Sequence, residues 1–262
     1  MRIFVVIGFL NIMAILSAEP SLKIRVVEGR PIADQVFVNG CGPYTFLIDT
    51  GAQTNQIESS LAPRLGLRTL NRLEMFTVAG TKWLASGRAS EIRLGVAVAR
   101  DQEFLFSGLT EVRRLSPGIQ GILGQEFLAN FDYLLDFRGR KIRFGAIETK
   151  DPRIEAGRIG GRMAVFTSLG ELILDSGIDT VLLYSRPQTE ASVRLVTSAG
   201  ETAVKIVRNS RLMIEEHEYR LRRIAYVPPV AGHGQGLLPA SLFDSVFVCN
   251  SGNYIIANPS VS

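Results

Sequence analysis

The sequence predicts an all-β protein made of two similar halves. Short apolar or alternating runs recur roughly every 8–12 residues, separated by Gly, Asn and Pro, which is typical of strands joined by turns. Helical periodicity is scarce, and one ordered set of motifs occurs twice along the chain. With 262 residues, 46% of them hydrophobic, the chain is long enough for one large domain or for two lobes of roughly 100–130 residues each.

The N-terminal residues have the composition of a secretory signal peptide. Met1-Arg2 supplies a positive start, the run from Ile3 to Leu16 is apolar, and small residues precede the expected cleavage after Ala18. This run is shorter than the ~20 residues that a bilayer span needs. We therefore expect an exported protein, periplasmic or secreted, without stable membrane insertion after cleavage. An uncleaved N-terminal anchor is the alternative.

The first half after this segment contains most of the clear strand patterns. Strands are expected at Lys23–Val27, Gln35–Val38, Tyr44–Ile48, Leu73–Val78, Ala89–Leu94, Tyr133–Phe137 and Lys141–Phe144. Two short helical patterns interrupt them, at residues 58–66, which end in Gly66, and at residues 125–130. The element pattern is therefore that of a β protein with short helical turns.

Two Asp turns are the most informative members of the repeated set. The segments 46–52 and 172–178 each hold an apolar run that ends in Asp-(Thr/Ser)-Gly, with Asp49 and Asp175 as the acidic residues. Four landmarks follow in the same order in both halves. In the first half they are Thr-x-Ala-Gly at 77–80, Gly and an apolar pair at 121–124, Phe-Asp at 131–132 and a closing strand. In the second half the first three stand at 197–200, 236–239 and 243–244, again before a closing strand. One Asp turn alone is weak evidence, because Asp and Gly are common in turns. The ordered repetition indicates a duplicated carboxylate site.

The repeat also sets the domain boundaries. Residues 1–18 are assigned to the signal peptide, 19–150 to an N-terminal β lobe, 151–161 to an inter-lobe linker and 162–262 to a C-terminal β lobe. The linker is rich in Gly, Pro and charge, which suits a surface connection.

Several function classes are disfavoured by the composition. The net charge is +4, but no Lys/Arg run is interleaved with aromatic residues, so we expect no nucleic-acid binding. His217 lacks the second His of a zinc-peptidase helix, and His233 lies between two glycines, so both are expected at the surface. We expect no metal and no cofactor. Cys41 and Cys249 are compatible with a disulfide in an exported protein, or with unpaired thiols.

These motifs together resemble those of the aspartic peptidases. The resemblance is carried by Asp49-Thr50-Gly51-Ala52 after an apolar strand, by Arg64-Leu65-Gly66-Leu67 and by Ile122-Leu123-Gly124. The first half is most similar to bacterial retropepsin-like domains, and two lobes in one chain are closer to pepsin. The resemblance spans roughly residues 23–258 and is looser in the second half. It implies a two-lobed pepsin-like fold, a double retropepsin-like arrangement, with a cleft between the lobes.

The resemblance also implies roles for pairs of residues. It makes Asp49 and Asp175 the catalytic pair. The residues expected to support the two catalytic loops are Thr50, Gly51, Ser176 and Gly177, with the hydroxyls bracing the opposite lobe and the glycines allowing close approach.

A hairpin over residues 75–86 is expected to act as a flap that contacts substrate. Ala79 and Gly80 stand at its tip, and Trp83 either lines the cleft or packs within the lobe. Residues 197–201 form either a second flap or the matching hairpin of the second lobe, and the plain hairpin is preferred.

The sequence departs from the family pattern at three positions. Pro239 replaces the landmark glycine in the second half, so this loop must be built differently. Ala52 and Ile178 stand three residues after the aspartates, where many pepsin-like enzymes have a hydroxyl that bonds the carboxylate. Because the loss of a donor to the charged form raises a carboxyl pKa, we expect an activity optimum less acidic than that of pepsin.

The functional hypothesis is an exported aspartic endopeptidase that acts on peptide or protein substrates as a monomer. Two facing carboxylates share one proton and activate one water, with no cofactor or covalent nucleophile. Apolar residues around the scissile bond are implied by the resemblance alone. The alternative is a catalytically inactive peptide-binding or scaffold protein of the same fold. Retention of both aspartates, both hydroxyls and both glycines favours the enzyme.

Overall fold

The computed structural model describes residues 21–77, 80–185, 192–197, 200–229 and 234–260. The expected signal peptide lies outside these residues, as do Ala79 and His233. Within the described ranges, no helix is both long enough and apolar enough to cross a membrane.

Strands make up most of the described chain, which confirms the all-β class. The strands of the first half are β1 (Leu22–Lys23), β2 (Arg25–Val27), β3 (Arg30–Val38), β4 (Cys41–Ile48), β5 (Asn55–Glu58), β6 (Asn71–Thr77), β7 (Gly80–Leu94), β8 (Ala97–Ser107), β9 (Gly121–Leu123), β10 (Tyr133–Asp136) and β11 (Lys141–Phe144). Those of the second half are β12 (Ile154–Ile159), β13 (Arg162–Thr167), β14 (Gly170–Asp175), β15 (Val181–Tyr184), β16 (Ser192–Thr197), β17 (Gly200–Ile214), β18 (His217–Val227), β19 (Gly236–Pro239), β20 (Ser245–Cys249) and β21 (Tyr254–Ala257). The helices are α1 (Thr110–Leu115) and α2 (Gln125–Leu128), with 3-10 turns at Pro63–Leu65 and Ala240–Leu242.

The two halves have the same strand order. It is β2-β3-β4-β9-β5-β8-β7-β6 in the first half and β12-β13-β14-β19-β15-β18-β17-β16 in the second. Each half contains two parallel pairs, β4 with β9 and β5 with β8 in the first, and β14 with β19 and β15 with β18 in the second. The strands β1-β11-β10-β20-β21 continue the second set into a 13-stranded sheet, and β10 pairs with β20 across the halves. The repeat seen in the sequence is therefore a repeat of topology.

The segment 151–161, expected to be a linker, forms strand β12 over much of its length. Ile154 is buried and pairs with Ile255 of β21. Gly160 and Gly161 have φ of 56° and 80° and form the two-residue turn between β12 and β13. A type I′ hairpin turn needs positive φ at both central residues, which glycine adopts without strain. The glycines that suggested a linker in the sequence are therefore hairpin residues.

The helical patterns of the sequence are realised only in part. Residues 55–58 belong to β5, and the helical signal at 58–66 is reduced to the 3-10 turn Pro63–Leu65. It ends as expected at Gly66, which has φ +69° and donates its N–H to the carbonyl of Pro63. The second pattern forms α2, which ends at Leu128.

Buried apolar side chains hold the ends of the two central strands in place. Ile48 of β4 and Leu174 of β14 are fully buried in one continuous core that includes residues of both halves. Burial of such a side chain contributes about 1.5–3 kcal/mol. The residues that follow Ile48 and Leu174 therefore start from fixed positions.

The structure has both thiols unpaired, the second of the two alternatives left by the sequence. Cys41 is exposed and Cys249 is buried. Cys249 Sγ lies 3.6 Å from Asp132 Oδ2 and 3.4 Å from Ser251 Oγ.

Candidate active site

The two Asp turns meet each other at the ends of equivalent strands. Asp49 directly follows β4, and its N–H donates to the carbonyl of Leu123 in the neighbouring β9 at 2.9 Å. Asp175 ends β14 and is in register with Pro239 of β19. We call residues 49–52 the Asp49 loop and residues 175–178 the Asp175 loop. Both aspartates are 6% exposed.

Two buried hydroxyls bind each loop to the opposite half. Thr50 Oγ1 donates to the carbonyl of Leu174 at 2.7 Å and accepts the N–H of Ser176 at 2.9 Å. Ser176 Oγ donates to the carbonyl of Ile48 at 2.7 Å and accepts the N–H of Thr50 at 3.0 Å. The four bonds form a reciprocal set in which every donor and acceptor belongs to a different half from its partner. This is the bracing that the resemblance implies for Thr50 and Ser176.

Each carboxylate lies against the glycine of the opposite loop. A Cβ atom placed on Gly177 would lie 2.6 Å from Asp49 Oδ2, and one placed on Gly51 would collide with Asp175 Oδ2. The two carboxyl groups are close enough for each to shift the pKa of the other. The glycines are therefore required by the close approach of the two loops, and the structure brings Asp49 and Asp175 together as the sequence predicts.

The two carboxylates differ in their backbone donors. Asp49 Oδ1 accepts the N–H groups of Gly51 and Ala52 at 3.0 and 3.1 Å. Asp175 Oδ1 accepts the N–H of Gly177 at 2.7 Å. Ala52 thus supplies a backbone donor, although its side chain has none.

Burial raises the pKa of both aspartates. For Asp49 the effect of burial is opposed by the N–H groups of Gly51 and Ala52. For Asp175 burial and the negative charge of Asp49 together raise the pKa well above 3.8. The pair therefore binds a proton more tightly than an exposed carboxyl group does, and Asp175 is the member whose surroundings favour the protonated form more strongly.

Arg162 and Tyr184 are site residues that sequence reasoning missed. Arg162, the first residue of β13, is 5% exposed and donates from Nη1 to the carbonyl of Gly51 at 3.4 Å and from Nε to that of Ile159 at 3.1 Å. Its positive charge lowers the pKa of both aspartates. Burial raises the pKa of Tyr184, and the charge of Asp175 raises it further. One sequence signal for Arg162 existed, since Gly-Arg also begins the equivalent strand β3.

Within the part of the chain that the structure describes, the Asp49 loop has a side-chain support for which the Asp175 loop has no equivalent. Gln125 Nε2 donates to the carbonyl of Thr50 at 2.8 Å, and Asn55 Oδ1 accepts the N–H of Gly124 at 3.0 Å. In the second half the register places Val181 where the first has Asn55, and Pro239 where it has Gly124. Proline has no N–H and valine no acceptor, so donor and acceptor are lost together. The second loop is therefore built differently, as predicted, without an unsatisfied buried group at this point.

Both halves have a hairpin at the position expected for a flap. In the first half Thr77 pairs with Gly80, and in the second Thr197 pairs with Gly200. Trp83 is 59% exposed, which excludes the packing role considered for it. His217, the first residue of β18, is exposed, as predicted. The flap role of Ala79 and Gly80 stays a prediction.

A cavity of about 260 Å³ borders the Asp175 loop. Its lining is mixed, with apolar side chains from Leu47, Val112, Leu115 and Ile178 and charged ones from Glu28, Arg30, Glu111, Arg114 and Asp179. The cavity lies between α1 of the first half and the residues that follow Asp175, and so both halves contribute to its walls.

Comparison with known proteins supports the resemblance seen in the sequence. A family model described as "Aspartyl protease" matches residues 35–127, which include Asp49 but not Asp175. No curated protein matches the chain. A solved retropepsin-like aspartic protease from Rickettsia conorii is 18% identical, with 48% of this chain and 89% of that chain covered and a TM-score of 0.35. The family match confirms the resemblance to the aspartyl proteases for residues 35–127.

Proposed function

We propose that this protein is an exported aspartic endopeptidase that hydrolyses peptide bonds with a water activated between Asp49 and Asp175. The single observation that carries the proposal is the juxtaposition of these two buried carboxyl groups, each against the glycine of the opposite loop. The family match over residues 35–127 supports the protease class. The signal-like composition of residues 1–18 supports export.

The chemistry follows from a pair that holds one proton. The ionised carboxylate takes a proton from the water as the water oxygen bonds to the peptide carbonyl carbon. The protonated carboxyl group donates its proton to the carbonyl oxygen, which gives a neutral tetrahedral diol. Collapse of the diol breaks the C–N bond: the leaving nitrogen receives a proton from one carboxyl group, and a diol hydroxyl gives its proton to the other carboxylate, which restores the singly protonated pair. The surroundings favour Asp175 as the member that holds the proton in the free enzyme, because Asp49 accepts more backbone N–H bonds.

The rest of the site supports this chemistry by fixing the pair. The reciprocal bonds of Thr50 and Ser176 hold the two loops at one separation, and burial keeps bulk water from the carboxyl groups. We propose that the two halves act as two lobes with the substrate between them. The cavity beside Ile178, whose lining is both apolar and charged, would then receive a substrate side chain.

The proposal is tested with purified protein and a fluorogenic peptide pool over a pH series. We expect cleavage that is blocked by a statine-type transition-state mimic and is lost in both Asp49→Asn and Asp175→Asn. Asp244→Asn is the matched control, because its side chain is 70% exposed and remote from the dyad in sequence. Cleavage that persists in either dyad variant would refute the assignment. Binding of the mimic without any cleavage would instead support the inactive peptide-binding alternative.

Export is tested separately from activity. Production with the complete N-terminus in a bacterial host should give a protein outside the cytoplasm whose N-terminal residue is Glu19. A protein that keeps Met1 and sediments with membranes would support the anchor alternative.

A further inference from the structure

Two arginines occupy equivalent positions in the two halves. Arg30 begins β3 and Arg162 begins β13, strands with the same place in the two sheet orders. Arg30 Nε donates to the carbonyl of Gly177 at 2.9 Å, and Arg162 Nη1 donates to that of Gly51 at 3.4 Å. Each half therefore holds the catalytic-loop glycine of the other half through an arginine.

The two arginines differ in how their charge is balanced. Arg30 has Glu28 at 3.3 Å and Asp179 at 3.5 Å. Asp179 stands four residues after Asp175, whereas the residue four positions after Asp49 is the neutral Gln53. Gln53 Nε2 donates to the carbonyl of Gly160 at 2.8 Å and so ties the turn before Arg162 to the Asp49 loop.

Arg162 consequently has the catalytic pair as its counter-charge. Across the ranges that the structure describes, no carboxylate makes an ion pair with it within 4.0 Å. The negative groups that act on it are Asp175 and Asp49, together with the phenol of Tyr184. Since Tyr184 has a raised pKa and stays neutral, the negative charge that acts on Arg162 comes, among the described residues, from the two aspartates. A buried cation without a counter-charge is strongly unfavourable.

We propose that Arg162 is a positioning residue that holds the Asp49 loop from the opposite half and stabilises the single negative charge of the Asp49–Asp175 pair. The inference rests on the proposed function, and it identifies a residue that shifts the pH range over which the pair cleaves peptides. Full protonation of the pair would leave Arg162 without a counter-charge. The charge of Arg162 therefore lowers the pKa of the pair, so that the singly ionised form persists to lower pH. This effect opposes that of burial, which raises the pKa of both aspartates.

The consequence is a shift of the whole activity profile when the charge is removed. In Arg162→Gln both aspartate ionisations should occur at higher pH, so the acidic and the basic limits of kcat/KM should both move upward. Arg162→Lys keeps the charge and should keep the limits closer to those of the wild type, although lysine lacks the planar fork that reaches two carbonyls.

Arg30→Gln is the matched control. It removes an equivalent contact to a loop glycine, but the charge of Arg30 is already balanced by Glu28 and Asp179. We expect a lower kcat with little movement of the pH limits. A profile of Arg162→Gln that superimposes on that of the wild type, or an equal shift in Arg30→Gln, would overturn the proposal.

A second measurement does not depend on activity. Urea unfolding of the wild type and of Arg162→Gln is followed by circular dichroism over the same pH series. The loss of stability that accompanies ionisation of the pair should continue to higher pH in the variant, because its folded-state pKa values are higher, and identical pH dependence would refute the proposal. If the wild type has no peptidase activity, the proposed function fails while this measurement still decides the role of Arg162.

Discussion

Replacement of Ser176 by alanine tests the bracing between the halves. Ser176 Oγ donates to the carbonyl of Ile48 and accepts the N–H of Thr50, and the serine is fully buried. Alanine leaves both backbone groups without their partner, and each such buried group costs about 1–3 kcal/mol. Two groups give about 2–6 kcal/mol, and partial relaxation favours the lower half, so we expect a loss of about 3 kcal/mol in the free energy of unfolding.

The assay is urea unfolding of the purified protein, with the m-value checked for constancy. Ser60→Ala is the control, because Ser60 is exposed and should change stability by less than about 0.5 kcal/mol. A loss in Ser176→Ala no larger than that of the control would refute the reasoning.

A double-mutant cycle with Thr50→Val sharpens the same test. The Thr50 hydroxyl makes the equivalent pair of bonds, so either variant loosens the contact on which the other depends. The double variant should therefore lose clearly less than the sum of the two single losses. Additive losses would mean that the two hydroxyls act independently and do not form one brace.

The remaining predictions concern the glycines, the pH dependence and the thiols. In Gly51→Ala the new methyl group would displace the carboxylate of Asp175, so kcat should fall by about 10²-fold or more. Gly118→Ala is the control, because its methyl group would meet nothing within 4 Å and should leave kcat unchanged. Equal kcat values in the two variants would contradict the prediction. Because burial raises the pKa of Asp175 above 3.8, the folded chain binds more protons than the unfolded chain above that pH. The contribution of this proton to stability is complete below pH 3.8 and is lost as the pH rises through the raised pKa. In Asp175→Asn the midpoint of urea unfolding should therefore fall less steeply with pH than in the wild type. An unchanged slope would contradict this prediction. In the native protein Cys41 should react quickly with a thiol reagent and Cys249 only after unfolding; a protein without free thiols would show that they pair.

The sequence predicts the parts of the structure that local pattern determines. Alternating apolar residues identify strands such as β4 and β11, and the ordered landmarks predict the repeat of topology. The pairing of Asp49 with Asp175 is implied by the repeat of the two Asp turns together with the resemblance to the aspartic peptidases. The strand expected at Lys141–Phe144 has the same bounds in the structure, since the preceding turn and the alternating pattern both indicate them.

The parts that sequence reasoning missed depend on contacts between distant residues. Strand β12 was read as a linker because Gly160 and Gly161 have the same composition in a hairpin turn as in a flexible connection. The Gly-Arg pair that Arg162 shares with Arg30 marks an equivalent position, but its burial follows from the packing of the β12–β13 turn on the Asp49 loop. The exchange of Asn55 for Val181, which accommodates Pro239, becomes visible only when the two sheets are placed in register.

A crystal structure of the complex with a statine-type mimic tests the central claim most directly. The hydroxyl of the mimic stands in for the attacking water, and we expect its oxygen within about 2.5–3.0 Å of carboxylate oxygens of both Asp49 and Asp175. A mimic bound elsewhere, or one whose hydroxyl contacts only one of the two aspartates, would contradict the account.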